Sequence, residues 1–244
     1  MGNRQKMIET FQDFTEIASC MEAIQNDFPE EIYYLGILGD KFLAFQKPEL
    51  SIEENLQLLV KAAMELTTQE APKWEMIAAR LLMFAFEREL REAEESCGIT
   101  TLYEKIVYLT GRGLYGQYIL ENYTKEEIDE FETFLAPERN YLFTYSGLEL
   151  LLNRYVIHTG KGVALESPQE MFLGIAMHLA MKEQKDRTLW VKRFYDMLSK
   201  LQVTMATPTL SNARKPYHQL SSCFIDTVPD SLNGIYRSID NFAK

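Results

Sequence analysis

At three points singled out in this chain a hydroxyl residue stands three positions ahead of a glutamate at the head of a polar-apolar repeat: Ser51-Ile-Glu-Glu54, Thr124-Lys-Glu-Glu127 and Ser167-Pro-Gln-Glu170. The hydroxyl oxygen of such a box accepts from a backbone N–H three residues on, and the glutamate reaches back, so donors that a helix start leaves orphaned are satisfied. Pro168 adds a residue whose missing N–H costs nothing at the first helical position. Apolar spacing then sets the extents. Ile52, Leu56, Leu59, Ala63 and Leu66 predict a helix over about 51–68. Met76, Ile77, Arg80, Leu81, Phe84 and Leu90 predict a second, after Pro72 and ending near Gly98. Thr100 to Tyr108 reads as a third, closed by Gly111-Arg-Gly113, and Ile128, Phe131 and Leu135 share one face of a fourth. Leu148, Leu151, Leu152 and Tyr155 mark a helix from near Ser146 to the glycine-rich turn at 158–162; Met171 to Lys182 and Asp186 to Leu201 form an antiparallel pair. Helices joined by short polar turns imply a helical domain, and no internal repeat is visible.

Composition removes several function classes. At 244 residues the chain buries one good core or two small ones. A net charge of −11 opposes attraction to nucleic-acid phosphate, although a small anion can still bind at a local basic or helix-terminal site. The longest apolar stretch, Met171 to Met181, falls short of the roughly 20 residues a membrane span needs. No signal-peptide pattern opens the chain. Cys20, Cys97 and Cys223 are never closely spaced, which argues against a disulfide scaffold or zinc site and for a reducing cytoplasm.

Both ends depart from the helical pattern. Residues 1–48 mix an acidic helical pattern with a possible short strand, Lys41 to Phe45. Gln202 to Ala206 and Leu220 to Thr227 have the β-branched, apolar content of strands, with a proline-punctuated loop between them and a last helix from near Asp230 carrying Ile235, Ile239 and Phe242. If both strands enter one sheet, Thr207 and Ser222 lie near each other at the same end.

Candidate chemistry concentrates there. Cys223 reads either as a small buried hydrophobe or as a redox-active thiol, which needs a substrate or second thiol within reach. Ser221, Ser222, Thr207 and Thr209 offer hydroxyls to an anionic oxygen. Asp230 reads as a helix N-cap, or as a group holding a ribose hydroxyl while the N–H groups of Ser231 and Leu232 meet a nucleotide. His178, in an apolar helix, reads as a satisfied core histidine, and three histidines build no metal cluster, so no metal site is expected. The methionines read as core filler and the acidic run 121–138 as a solvated helix face.

A series of segments in order, Ala71-Pro-Lys-Trp-Glu-Met-Ile-Ala-Ala-Arg-Leu81, Tyr141-Leu-Phe-Thr-Tyr-Ser146, Val191-Lys-Arg-Phe-Tyr-Asp196, Thr207-Pro-Thr209, Ser221-Ser-Cys223 and Asp230-Ser231, resembles the N-terminal part of the large subunit of class I ribonucleoside-diphosphate reductase, from about residue 49 onward. The resemblance implies a mainly α chain: a helical N-terminal domain over 49–200, then at 201–244 the first strands and a helix of a ten-stranded α/β barrel, incomplete here. It implies that Cys223 is the first of two cysteines that form a disulfide as the ribose 2′-hydroxyl leaves as water. Thr207 and Ser222 match substrate-binding positions, the latter near the diphosphate, and Asp230, Ser231 and Leu232 match an effector site for dNTP or ATP. Implied partners are the rest of the large subunit, a small metal-containing subunit that supplies the radical, a thioredoxin or glutaredoxin-type reductant and a second copy of the chain.

The chain also departs from the family pattern. It has no Asn-x-Cys-x-Glu finger loop for the radical-bearing cysteine, no second redox cysteine, and neither the radical-relay tyrosines nor the C-terminal cysteine pair. Residues 1–48 are too short and acidic for a working ATP cone. The expectation is a piece of an enzyme, truncated or naturally split and inactive alone. The competing expectation is a non-catalytic helical module that binds effector nucleotides or a subunit.

Overall fold

All three capping boxes form. The computed structural model describes residues 2–11, 16–160 and 162–243. In chain order the helices are α1 (Gly2–Glu9), α2 (Glu16–Asp27), α3 (Leu35–Phe45), α4 (Ile52–Met64), α5 (Trp74–Cys97), α6 (Leu102–Gly111), α7 (Tyr118–Asn122), α8 (Lys125–Glu132), α9 (Tyr145–Arg154), α10 (Pro168–Ala180), α11 (Arg187–Ser199), α12 (Thr207–Asn212) and α13 (Leu232–Ala243). Ser51, Thr124 and Ser167 each accept from the backbone N–H of the glutamate three residues on, and each glutamate accepts in return at the cap. Thr101 and Glu104 make a fourth box at the head of α6. Gly98 ends α5 at φ 68°, with its N–H on Glu95 and that of Ile99 on Glu94, a pairing that closes the open carbonyls.

Leu201 completes the same arrangement after α11 without being glycine: at φ 57° its N–H meets Leu198 and that of Gln202 meets Met197. The strain of a left-handed leucine, about 1 kcal/mol, turns the chain sharply toward α12. At the corner after α9, Gly162 at φ 80° donates to Thr159, and Thr159 donates to Val163; Lys161 lies outside the described residues.

Two apolar cores share one long helix. Met7, Met21, Ile24, Leu35, Phe42, Leu59 and Ala63 from α1–α4 pack with Trp74, Ile77 and Leu81 of α5. Farther along α5, Ala79, Met83, Phe86 and Leu90 join α6–α11 around Phe131, Leu148, Met171, Met177 and Tyr195. α10 is buried nearly all round, between α11 and its other neighbours. Lys105 of α6 is enclosed between Glu94 and Glu170. Burial alone would push its ammonium pKa down, but the two carboxylates override this and raise it.

Lys41 to Phe45 is the last turn of α3, not a strand. Leu35, Leu38 and Phe42 recur at helical spacing on one buried face, and this longer period overrides a five-residue apolar run. A Cβ at Gly39 would lie 2.7 Å from the carbonyl oxygen of Asn3, so glycine is what lets α1 close on α3. Gln202 to Ala206 and Leu220 to Thr227 are likewise not strands: no β-strand occurs among the described residues, and the loop between them contains α12. A β-prone segment gains its ladder bonds only beside another extended segment, and among the described residues neither has one.

Candidate functional site

α12 and the stretch that follows carry the residues singled out from the sequence. α12 has six residues, with Pro208 in its first turn, and begins at Thr207, whose Oγ1 lies 3.1 Å from the Tyr155 hydroxyl. Thr209 is buried. Beneath α12 lies a mostly apolar cavity of about 420 Å³ lined by Tyr155, Phe172, Leu198, Met205, Thr207 and Leu210.

A fully buried ion pair anchors the end of this segment. Arg214 and Glu166 both have no exposed surface, and the guanidinium meets the carboxylate twice, Nε at 2.6 Å and Nη2 at 2.5 Å. The remaining Arg214 donors reach the carbonyls of Leu210 at 2.8 Å and Tyr155 at 2.7 Å. Glu166 also accepts from the Tyr115 hydroxyl at 2.7 Å and the Ile157 N–H at 3.0 Å. α10 passes so close that a Cβ on Gly174 would lie 2.8 Å from both Arg214 Cδ and the Tyr115 oxygen. Burial opposes the charge on Arg214, and the Glu166 carboxylate more than restores it, so the guanidinium is held above its ordinary pKa.

Beside the pair, the Tyr118 hydroxyl donates to the Ala213 carbonyl at 2.6 Å and lies 2.9 Å from His178 Nδ1. Since that hydroxyl proton is committed, the imidazole donates at Nδ1, which makes His178 the satisfied core histidine expected. Burial, and secondarily the His218 ring, pushes its pKa down to about 4. A folded-state pKa below the unfolded value means that the folded protein binds fewer protons, so stability is complete above about pH 6.5 and falls as pH drops toward 4. Allowing for solvent screening, the expected loss is about 1–2 kcal/mol. His178→Asn, which keeps a donor near the Nδ1 position, should lose less between pH 7.5 and 4.5 in thermal melts; an equal loss would show that His178 is not the source.

Beyond Arg214 the chain lies open. Cys223 is exposed, not the buried hydrophobe of one sequence reading, and its Sγ lies 3.7 Å from the Ser222 hydroxyl. Ser221 and Ser222 are exposed as well. Among the described residues no sheet forms to bring Thr207 and Ser222 together. Asp230 does not cap α13: Ser231 does, its hydroxyl accepting from the Gly234 N–H at 3.1 Å. Leu232, Ile235, Tyr236, Ile239 and Phe242 leave an apolar face of α13 exposed.

The other two cysteines sit apart from this region. Burial, then the charge of Glu87, pushes the Cys20 thiol up to about 12, and Cys97 lies 3.2 Å from the Tyr108 hydroxyl. Among the described residues no group of three or more His, Cys, Asp or Glu side chains is arranged to hold a metal ion, and no helix is long and apolar enough to cross a membrane.

The family model of the ribonucleotide reductase all-alpha domain matches residues 141–218. Over 241 residues, 99% of this chain and 28% of the relative, the sequence is 58% identical to the ribonucleoside-diphosphate reductase subunit alpha of Treponema pallidum. The chain belongs to the ribonucleotide reductase large-subunit family. Subunits alpha of Helicobacter pylori and Escherichia coli are 34% and 32% identical, over 81% and 73% of this chain and 24% and 23% of their own lengths. The chain thus spans about a quarter of the length of these relatives. Within the family domain lie α9 to α12, Glu166 and Arg214, while Cys223 and α13 follow it. Sequence reasoning missed Glu166, Tyr115 and Gly174 and gave Arg214 no role. A glutamate and an arginine 48 positions apart carry no local signal of pairing.

Proposed function

We propose that the chain is the N-terminal part of the catalytic subunit of a cytoplasmic ribonucleoside-diphosphate reductase, presenting one edge of the site where the ribose is reduced. What supports this most is the 58% identity across 99% of the chain to a subunit of that name. Residues 49–200 form the helical domain, and 201–244 begin the catalytic barrel.

Reduction of one ribonucleoside diphosphate consumes two thiols. The C2′–O bond breaks, the hydroxyl leaves as water, a hydrogen takes its place, and the two sulfurs join in a disulfide, having given up two electrons and two protons. Cys223 supplies one thiol, and its exposure leaves the sulfur open to substrate. Thr207 and Ser222 bind substrate, Ser222 beside the diphosphate. Asp230, Ser231 and Leu232 take a dNTP or ATP effector. The second thiol and the radical-bearing cysteine belong to the remaining part of the large subunit, a small metal-containing subunit starts the radical, and a thioredoxin or glutaredoxin-type reductant restores the thiols. The exposed apolar face of α13 suits that remaining part or a second copy of the chain.

The test is one turnover by the complete subunit with its small subunit, the reductant omitted, followed by alkylation and mass spectrometry. Cys223 should become disulfide-bonded in step with the deoxynucleotide formed. Product formation with Cys223 alkylatable throughout would remove the reading.

A further inference from the structure

We propose that the buried Glu166–Arg214 pair is a positioning element for the substrate edge: it fixes the place of α12 and with it the point at which Thr207 is presented. The inference rests on the reading of Thr207 as a substrate-binding residue.

Arg214 holds α12 at both ends. Directly, its guanidinium takes the Leu210 carbonyl at 2.8 Å near the helix C-terminus. Indirectly, it takes the Tyr155 carbonyl at 2.7 Å, and the Tyr155 hydroxyl meets Thr207 Oγ1 at 3.1 Å at the helix start. The chain immediately beyond is fastened to the same support, since the Gly116 N–H donates to the Arg214 carbonyl at 2.8 Å and the Tyr118 hydroxyl donates to that of Ala213. A helix of six residues has little cohesion of its own, so these tethers decide where it sits.

Net stability alone gives weak reason for such a pair. Desolvating two charges offsets most of their attraction, and apolar side chains of similar volume commonly do as well. What apolar packing lacks is direction. A guanidinium whose donors are committed to a carboxylate and two carbonyls permits one placement of α12, whereas an apolar plug would allow the short helix to slide or rotate. Neither Glu166 nor Arg214 has exposed surface, so the pair acts through Tyr155 and Leu210 and does not touch substrate itself.

Two measurements test this. On the 244-residue chain, Glu166→Gln is expected to lose amide-exchange protection over 207–215 while the α4–α5 core keeps its own. In the complete subunit with its small subunit, Glu166→Gln should raise KM for the ribonucleoside diphosphate about tenfold with kcat changed less than about threefold, because substrate placement and not thiol chemistry is altered. Tyr155→Phe removes only the hydroxyl at Thr207; it should shift KM in the same sense by a few-fold, and serves if Glu166→Gln does not fold. Unchanged protection over 207–215 overturns the proposal whatever the activity. So does an unchanged KM in Glu166→Gln and Tyr155→Phe when Thr207→Val raises it. An unchanged KM in Thr207→Val as well removes instead the substrate reading of Thr207, and the proposal with it.

Discussion

A complete catalytic subunit carrying Cys223→Ser is expected to form deoxynucleotide at less than about a thousandth of the parent rate while melting at the same temperature. Serine differs from cysteine by one atom, but its oxygen can neither lose an electron at biological potentials nor close a disulfide, so the two-electron role proposed for Cys223 is lost. Exposure makes the experiment clean. In this chain Cys223 contributes nothing to either core, and substitutions at such surface positions change stability by less than about 0.5 kcal/mol; an unchanged melting temperature of the complete variant then separates lost turnover from unfolding. Cys97→Ser, beside Tyr108 and away from this segment, is the control that should keep turnover. Cys20 packs against the other core, formed by α1–α5, and burial pushes its thiol up to about 12. Turnover above a tenth of the parent rate in Cys223→Ser would mean that another group donates the electrons and would favour the non-catalytic module.

The largest expected effect on stability belongs to Arg214. Arg214→Ala strips a carboxylate with no exposed surface of its cation and leaves the carbonyls of Leu210 and Tyr155 without donors. Breaking a buried pair on one side costs about 3–5 kcal/mol, a large fraction of a domain's stability. Urea denaturation should show a lower midpoint with an unchanged slope, because the area exposed on unfolding hardly changes. Glu166→Leu combined with Arg214→Met should lose less than Arg214→Ala, as both charges then leave together and the volume is refilled. A loss below about 1 kcal/mol for Arg214→Ala would show that water or a shifted side chain already compensates the pair.

Local order was written in the chain. Ser51, Thr124 and Ser167 marked helix starts because the capping partner sits three residues away, and Gly98 marked an end because the left-handed residue is the signal itself. The apolar period located the core faces of α4, α5, α8 and α9 for the same reason: one turn of helix brings together what the sequence already places together. Motif order carried the family, since the spaced segments from Ala71 to Ser231 form a pattern that no single turn or helix specifies.

Tertiary contact decided the rest. Lys41 to Phe45 reads as a short apolar strand, and only the burial of Leu35, Leu38 and Phe42 against α1 and α4 makes it the end of α3. Gln202 to Ala206 and Leu220 to Thr227 have strand composition, yet a strand exists only where a neighbour completes its hydrogen bonds, and none lies beside them. The Glu166–Arg214 pair was invisible for a related reason. Its partners stand 48 residues apart, and whether a glutamate is a solvated surface charge or half of a buried clamp depends on what the fold excludes from around it. Propensity, caps and periodicity act over a few residues and can be read from a string; desolvation and long-range pairing are properties of an enclosed space, which only the folded chain creates.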